Sequence, residues 1–144
     1  PERHPESADR VSDIRSLVKK TEAGTSFLIS QLFFENEMFT SFVEDCRIAG
    51  IDVPVCARIM PVINKNQIER MVTMCGASLP ERFRKIIDKY GDNREALFDA
   101  GLSYAVSQII DLCANGSENI HLYTMNNPAV AKRIVEGVKR IVRP

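Results

Sequence analysis

Ser26-Phe27-Leu28-Ile29-Ser30-Gln31-Leu32-Phe33-Phe34-Glu35-Asn36 is the stretch on which the fold turns. Phe27, Leu28, Ile29, Leu32, Phe33 and Phe34 run with almost no alternation, between Gly24-Thr25 before and Glu35-Asn36 after. Such a run reads as a strand over 26–34 buried on both faces, as in a parallel sheet covered by helices. One neutral amide, Gln31, sits inside it. A buried amide either pairs within the sheet layers or points at a ligand. In α/β architectures ligands gather at the carboxyl ends of parallel strands, and Gln31 lies towards that end. Gln31 is therefore expected to touch a substrate.

Working outward, the preceding segment predicts a helix capped by Ser7, with Val11, Ile14, Leu17 and Val18 inward and Gly24 as its stop. After the strand comes a helix over about 37–49, then a second strand from Val53 to Met60 closed by Pro61. Asn64 or Lys65 opens a third helix, and Ser78-Leu79-Pro80-Glu81 starts a fourth, where a proline in the first turn loses nothing by its missing N–H. A long helix over about 93–114 is apolar around most of its circumference. A third strand follows at Ile120 to Met125, and Asn127-Pro128 opens the last helix. Strands that alternate with helices in this way belong to a parallel α/β sheet with right-handed crossovers. Only three strands are present, and the leading helix has no strand before it, which favours a slice of an eight-stranded barrel over an open sheet. In that slice Leu32, Ile59 and Leu122 are expected to face inward, with Phe33 and Phe34 in the core.

A chain of 144 residues has the length of one domain and is read as a single partial domain over 1–144. Nineteen basic residues balance nineteen acidic ones, so no global field favours nucleic acid or a membrane surface. Cys46, Cys56, Cys75 and Cys113 are widely spaced without a Cys-x-x-Cys pair, so no zinc or redox motif is expected. They read as small buried hydrophobes in a reducing cytoplasm. No apolar run is long enough to span a bilayer, and the start at Pro1 without a methionine is expected of a processed or excised piece.

Pro1-Glu2-Arg3-His4-Pro5-Glu6, Ile29-Ser30-Gln31-Leu32-Phe33-Phe34-Glu35 and His121-Leu122-Tyr123-Thr124-Met125-Asn126 carry a resemblance, with Gly50-Ile51-Asp52-Val53 and Ile59-Met60-Pro61-Val62 between them. In this order and at these spacings the set resembles the second half of a methylenetetrahydrofolate reductase. The resemblance implies a (β/α)8 barrel of which this chain supplies the last three strands. It also implies a reaction in which a nicotinamide donor, NADH or NADPH, reduces FAD and the flavin reduces 5,10-methylenetetrahydrofolate to 5-methyltetrahydrofolate. That chemistry belongs to one-carbon metabolism and methionine biosynthesis.

Residue by residue, the resemblance implies that His4, Asp13 and Lys20 hold the FAD tail, and that Gln31 contacts the folate ring and the nicotinamide. Met71 stands where some members carry a phenylalanine that packs the ligand. Asn127 is expected on the folate side, where relatives often carry arginine. The departure removes the ion pair to the folate glutamate tail unless Arg133 or Lys132 substitutes, and both of these otherwise read as solvated helix charges. His121 and Tyr123 are left out of the expected site. The family's general acid, a glutamate on the first strand, lies outside this sequence, so no catalytic residue is expected within it and the chain alone is expected not to turn over. The missing N-terminal half of the barrel is then an expected partner, or a second copy of the chain. The competing reading is a catalytically silent structural piece that associates through its open sheet edges and binds no cofactor.

Overall fold

The computed structural model describes residues 7–142, apart from the side chain of Glu69. Its order is α1 (Arg10–Glu22), β1 (Leu28–Ile29), α2 (Asn36–Ile48), β2 (Val55–Ile59), α3 (Lys65–Cys75), α4 (Glu81–Tyr90), α5 (Arg94–Ala114), β3 (Ile120–Leu122) and α6 (Pro128–Val142). The three strands form one sheet in the order β1-β2-β3, parallel throughout. This is the α/β arc expected of a barrel slice. Asn64, Asn93 and Asn127 cap α3, α5 and α6 with side-chain oxygens, each accepting an orphan N–H of the first turn. At α1 the cap is Asp9, which accepts from the Ser12 N–H at 2.7 Å, and not Ser7. Asp9 takes that place because it is the residue immediately before the first helical one.

Three packed clusters hold the arc together. Val55, Ala57 and Ile59 of β2 and Ile120 and Leu122 of β3 face α2, α5 and α6, meeting Phe39, Leu102, Ile109, Leu112, Val130 and Ile134. Leu28 of β1 packs with Ile14, Leu17 and Val18 of α1 and with Phe42 and Cys46 of α2. The segments leaving β1 and β2 bury Leu32, Phe34, Met60 and Val62 under α3 and α4. Phe33 stacks on Phe39 with centroids 5.1 Å apart, and Phe34 stacks on Phe83 at 5.3 Å. Each such pair adds about 0.5–1.5 kcal/mol beyond its area.

The strand expected over 26–34 shrinks to two residues, with its ladder extended by Ser30 N–H donating to the Cys56 carbonyl at 2.9 Å. Beyond Ser30 the chain leaves the sheet, and Leu32, Phe33 and Phe34 are buried in the helical layers and not in a strand. The other two strands are likewise shorter than expected. A run of apolar residues marks burial equally well in a strand and in the loop above it, and only the hydrogen-bond ladder separates the two.

The facing of the strands is also opposite to expectation. Leu32 (2% exposed) and Ile59 (0%) lie in the helix-facing clusters, as does the half-buried Leu122. Side chains alternate along a strand, so the other sheet face carries their neighbours: Phe27 and Ile29, then Cys56 and Arg58, then His121 and Tyr123, with Gln31 joined to it by its contact with Arg58. Phe27 is 54% exposed there and Ile29 38%. No described element covers this face. A sheet face with exposed aromatic and aliphatic groups and unpaired strand edges is a template for association. The 144-residue polypeptide on its own is therefore expected to self-associate and to bind a hydrophobic dye. A monodisperse monomer with low dye fluorescence would contradict this.

Cys46 of α2 is sealed against α1, and burial pushes its thiol from 9.0 up to about 11. At pH 8 that shift lowers the thiolate fraction about a hundredfold. Native-state alkylation is expected to spare Cys46 until denaturant is added. Mass spectrometry showing Cys46 modified as fast as Cys56, which sits half-buried on the open face, would contradict the packing.

Candidate functional site

The carboxyl ends of the three strands bring a polar row onto the open face. In the β1–β2 register Ile29 lies opposite Cys56, so two residues on Gln31 stands beside Arg58, and Arg58 lies opposite His121. The Arg58 Nη1 donates to Gln31 Oε1 at 3.4 Å. On the other side its guanidinium lies 5.7 Å from the centroid of the Tyr123 ring, within range of a cation–π contact. The backbone of Arg58 is held by Ser30, whose buried hydroxyl accepts the Arg58 N–H at 3.0 Å. Ser30, not Gln31, is thus the buried polar residue of the first strand segment. Gln31 is exposed.

The exposure of Gln31 changes what it can do. Its Oε1 accepts from the Leu32 N–H at 2.9 Å as well as from Arg58. With the carbonyl oxygen engaged twice, the amide's Nε2 is what remains for a ligand, and Nε2 is a donor only. Arg58 likewise only donates. It forms no ion pair with any described residue, and its buried Nε has no hydrogen-bond partner among them. The row therefore presents donors and a positive charge, with an aromatic ring at one end.

The other expected residues fall in different places. Asp13 is half-buried in the first turn of α1 and Lys20 exposed in its last turn. Seven residues place them on one helix face about 10 Å apart. That spacing suits an elongated polar tail with a hydroxyl-bearing part and an anionic part, for which a carboxylate acceptor and an ammonium are matched chemistry. His4 lies outside the described residues. Met71 is half-buried on α3 and packs against the cluster of Leu32 and Met60. Asn127 has its side-chain oxygen committed to the cap of α6, accepting from Ala129 N–H at 3.1 Å and Val130 N–H at 3.2 Å.

Arg133 does not replace a cation near Asn127. It pairs with Asp99 of α5 at 2.8 Å and lies over the Phe98 ring, on the α5–α6 seam. Lys132 is exposed on α6. The cation of the open face is Arg58, with His121 and Tyr123 beside it, and none of the three was among the expected site residues. A signal for Arg58 existed: a charged residue inside an otherwise apolar strand is seldom there for packing alone.

Just past Tyr123 the backbone takes an unusual path. Met125 (φ 52) and Asn126 (φ 58) both sit in the left-handed region. Asparagine tolerates it, whereas methionine does so at a cost of about 1–3 kcal/mol, a strain that concentrates near functional sites. Among the described residues no cluster of three or more histidine, cysteine or acidic side chains is placed to hold a metal ion. No described helix is long and apolar enough to cross a membrane.

A family model described as methylenetetrahydrofolate reductase matches residues 1–139. The chain is 34% identical over 135 residues to methylenetetrahydrofolate reductase (NADH) 1 of Arabidopsis thaliana, covering 88% of this chain and 23% of that one. It is 31% identical over 134 residues to 5,10-methylenetetrahydrofolate reductase of Escherichia coli K12, covering 93% of this chain and 45% of that one. The chain thus spans between about a quarter and a half of these relatives' length. Among solved structures it is similar to an uncharacterized protein from Clostridium thermocellum, described as binding two copies of 5-methyl-5,6,7,8-tetrahydrofolic acid. That likeness has a TM-score of 0.60 at 15% identity, covers 92% of this chain and 49% of the other, and concerns the fold. With the family model matched over nearly its whole length, three parallel strands in a barrel arc and a polar row at their carboxyl ends, this chain belongs to the methylenetetrahydrofolate reductase family.

Proposed function

We propose that this chain is the C-terminal part of a flavin-dependent oxidoreductase that reduces 5,10-methylenetetrahydrofolate to 5-methyltetrahydrofolate with electrons from NADH or NADPH. The observation that carries this reading is the polar row of Gln31, Arg58 and Tyr123 at the carboxyl ends of β1–β3, on the face that a closed barrel turns inward. The family match over residues 1–139 supports the reaction class.

In this reading Gln31 offers its Nε2–H groups to the acceptor atoms of the ring bound on the open face. Phe27 and Ile29, lower on the same strand, supply apolar surface that excludes water beneath it. Asp13 and Lys20 would hold the tail of FAD, the carboxylate accepting from ribose hydroxyls and the ammonium facing the diphosphate. FAD would supply the hydride relay between donor and folate, and the protein's part is to place each ligand against it. Met71 and Asn127 would line the folate end, Asn127 through its amide nitrogen, since its oxygen caps α6. The general acid would come from the first strand of the barrel, outside this sequence.

The test is made on the full-length protein that contains this chain. A flavin absorption spectrum, together with oxidation of NADH or NADPH that depends on added 5,10-methylenetetrahydrofolate, is the expected result. A protein without flavin, or nicotinamide oxidation indifferent to the folate, would overturn the proposal. It would favour the alternative of a silent structural piece, for which the exposed Phe27 and Ile29 are the supporting observation.

A further inference from the structure

Arg58 carries its charge without an ion pair among the described residues, and its buried Nε has no hydrogen-bond partner there. Arg10 and Arg133, by contrast, have carboxylate partners on Asp45 and Asp99. Arg58 has one long hydrogen bond to a neutral amide, one aromatic face and a buried Nε without an acceptor. A guanidinium brings five donors in a rigid plane, and here the buried Nε–H is left unmet, which is costly. Its placement is not accidental to the backbone, because Ser30 Oγ fixes the Arg58 N–H from the neighbouring strand. The 3.4 Å contact of Arg58 Nη1 with Gln31 Oε1 sets the Gln31 amide against the Arg58 fork, so Nε2 and the guanidinium are neighbouring donors.

We propose that Arg58 is a ligand-binding and specificity-determining residue, which with Gln31 Nε2 takes the acceptor edge of the planar ring bound on the open face. The ligand class is a heterocycle with carbonyl or imine acceptors along one edge, resting beside the Tyr123 ring. The inference rests on the folate reading above and deepens it: the ring is the pterin and not the carboxylate-bearing tail. A cation next to an amide donor raises the affinity for electron-rich edges and rejects rings that present donors there, because two sets of N–H groups would then face one another.

The experiment measures the affinity of the full-length protein for 5-methyltetrahydrofolate in wild type, Arg58→Gln, Arg58→Lys and Gln31→Ala, with thermal melts alongside. Arg58→Gln is expected to weaken binding about tenfold to a hundredfold, as for a charge-assisted hydrogen bond. Arg58→Lys is expected to recover part of the loss, since it keeps the charge and loses the fork. The loss is expected to persist with the pteroate form of the ligand, which lacks the glutamate. Its disappearance there would move Arg58 to the tail and overturn the ring assignment. Wild-type affinity in Arg58→Gln alongside weakened binding in Gln31→Ala would overturn the role of Arg58 alone. A lowered melting temperature with unchanged affinity would make Arg58 an internal structural charge and overturn it equally. Unchanged affinity in both Arg58→Gln and Gln31→Ala would instead bring down the folate reading of the open face. Should Arg58→Gln fail to fold, Arg58→Lys decides by the same comparison.

Discussion

Replacing Gly101 with alanine is expected to cost the fold about 3 kcal/mol or more, at the upper end of what overpacking does. Gly101 sits within α5 where the helix passes against the chain leaving β2, and a methyl there would overlap the Val62 carbonyl oxygen. That obstacle is backbone, which cannot swing aside as a side chain can. Either α5 backs away from β2 or the segment carrying Val62 is displaced. Both choices disturb the layer in which Leu102, Ala105 and Ile109 meet Ala57 and Ile59. Alanine's better helix propensity returns only about 1 kcal/mol. Gly137 on α6 is the control, for a methyl there meets side-chain atoms and not backbone: the methyls of the stiff Val106, at 3.3 and 3.6 Å, which need to give by only a few tenths of an ångström. Gly137→Ala is expected to stay within about 1 kcal/mol of wild type, the helix-propensity gain set against the small shift asked of Val106. Chemical denaturation of both variants checks the contrast. Equal midpoints would mean that the close approach of α5 to Val62 carries no weight.

Gly101 shows where the sequence was and was not legible. Helices and their limits could be read from capping asparagines, from glycines and from apolar spacing, because those signals are local. The order of strands and helices then implied a parallel arc, and the family resemblance supplied its place in a barrel. Long-range packing had no local signal: a glycine in a helix reads as a tolerated weakness, and nothing near Gly101 announces Val62.

The facing of the strands failed for a different physical reason. In Phe27 to Phe34 both parities are apolar, so hydrophobicity could not say which side chains meet the helices. The hydrogen-bond register settles it, and with it the exposure of Gln31 and the burial of Ser30. Arg58 and Tyr123 became site residues through that register, since β2 and β3 carry them to the same level as Gln31. His4, by contrast, lies outside the described residues, and Asp13 and Lys20 remain a proposal resting on their shared helix face.

Gln31→Glu in the full-length protein is expected to weaken folate binding and slow folate reduction by about tenfold to a hundredfold, the worth of roughly 1–3 kcal/mol. The substitution keeps the shape and keeps both acceptances, from the Leu32 N–H and from Arg58. It converts the neutral contact with Arg58 into an ion pair across adjacent strands. Two things are then lost at once: the Nε2 donors that Gln31 offered to the open face, and part of the positive field that Arg58 projected there. A ring edge made of acceptors would meet a carboxylate where it had met an amide. Stability is expected to change little, because the contact is exposed and an exposed ion pair contributes at most about 1 kcal/mol. Flavin content is expected to stay unchanged, since the residues proposed for the FAD tail lie on α1. This combination separates a binding defect from a folding defect: normal melting, normal flavin, impaired folate half-reaction. Single-turnover kinetics of the reduced enzyme with 5,10-methylenetetrahydrofolate provide the measurement. Wild-type rates and affinity in that experiment would reduce Gln31 to an exposed amide that props Arg58 and Leu32, and the central assignment of the open face would fall with it.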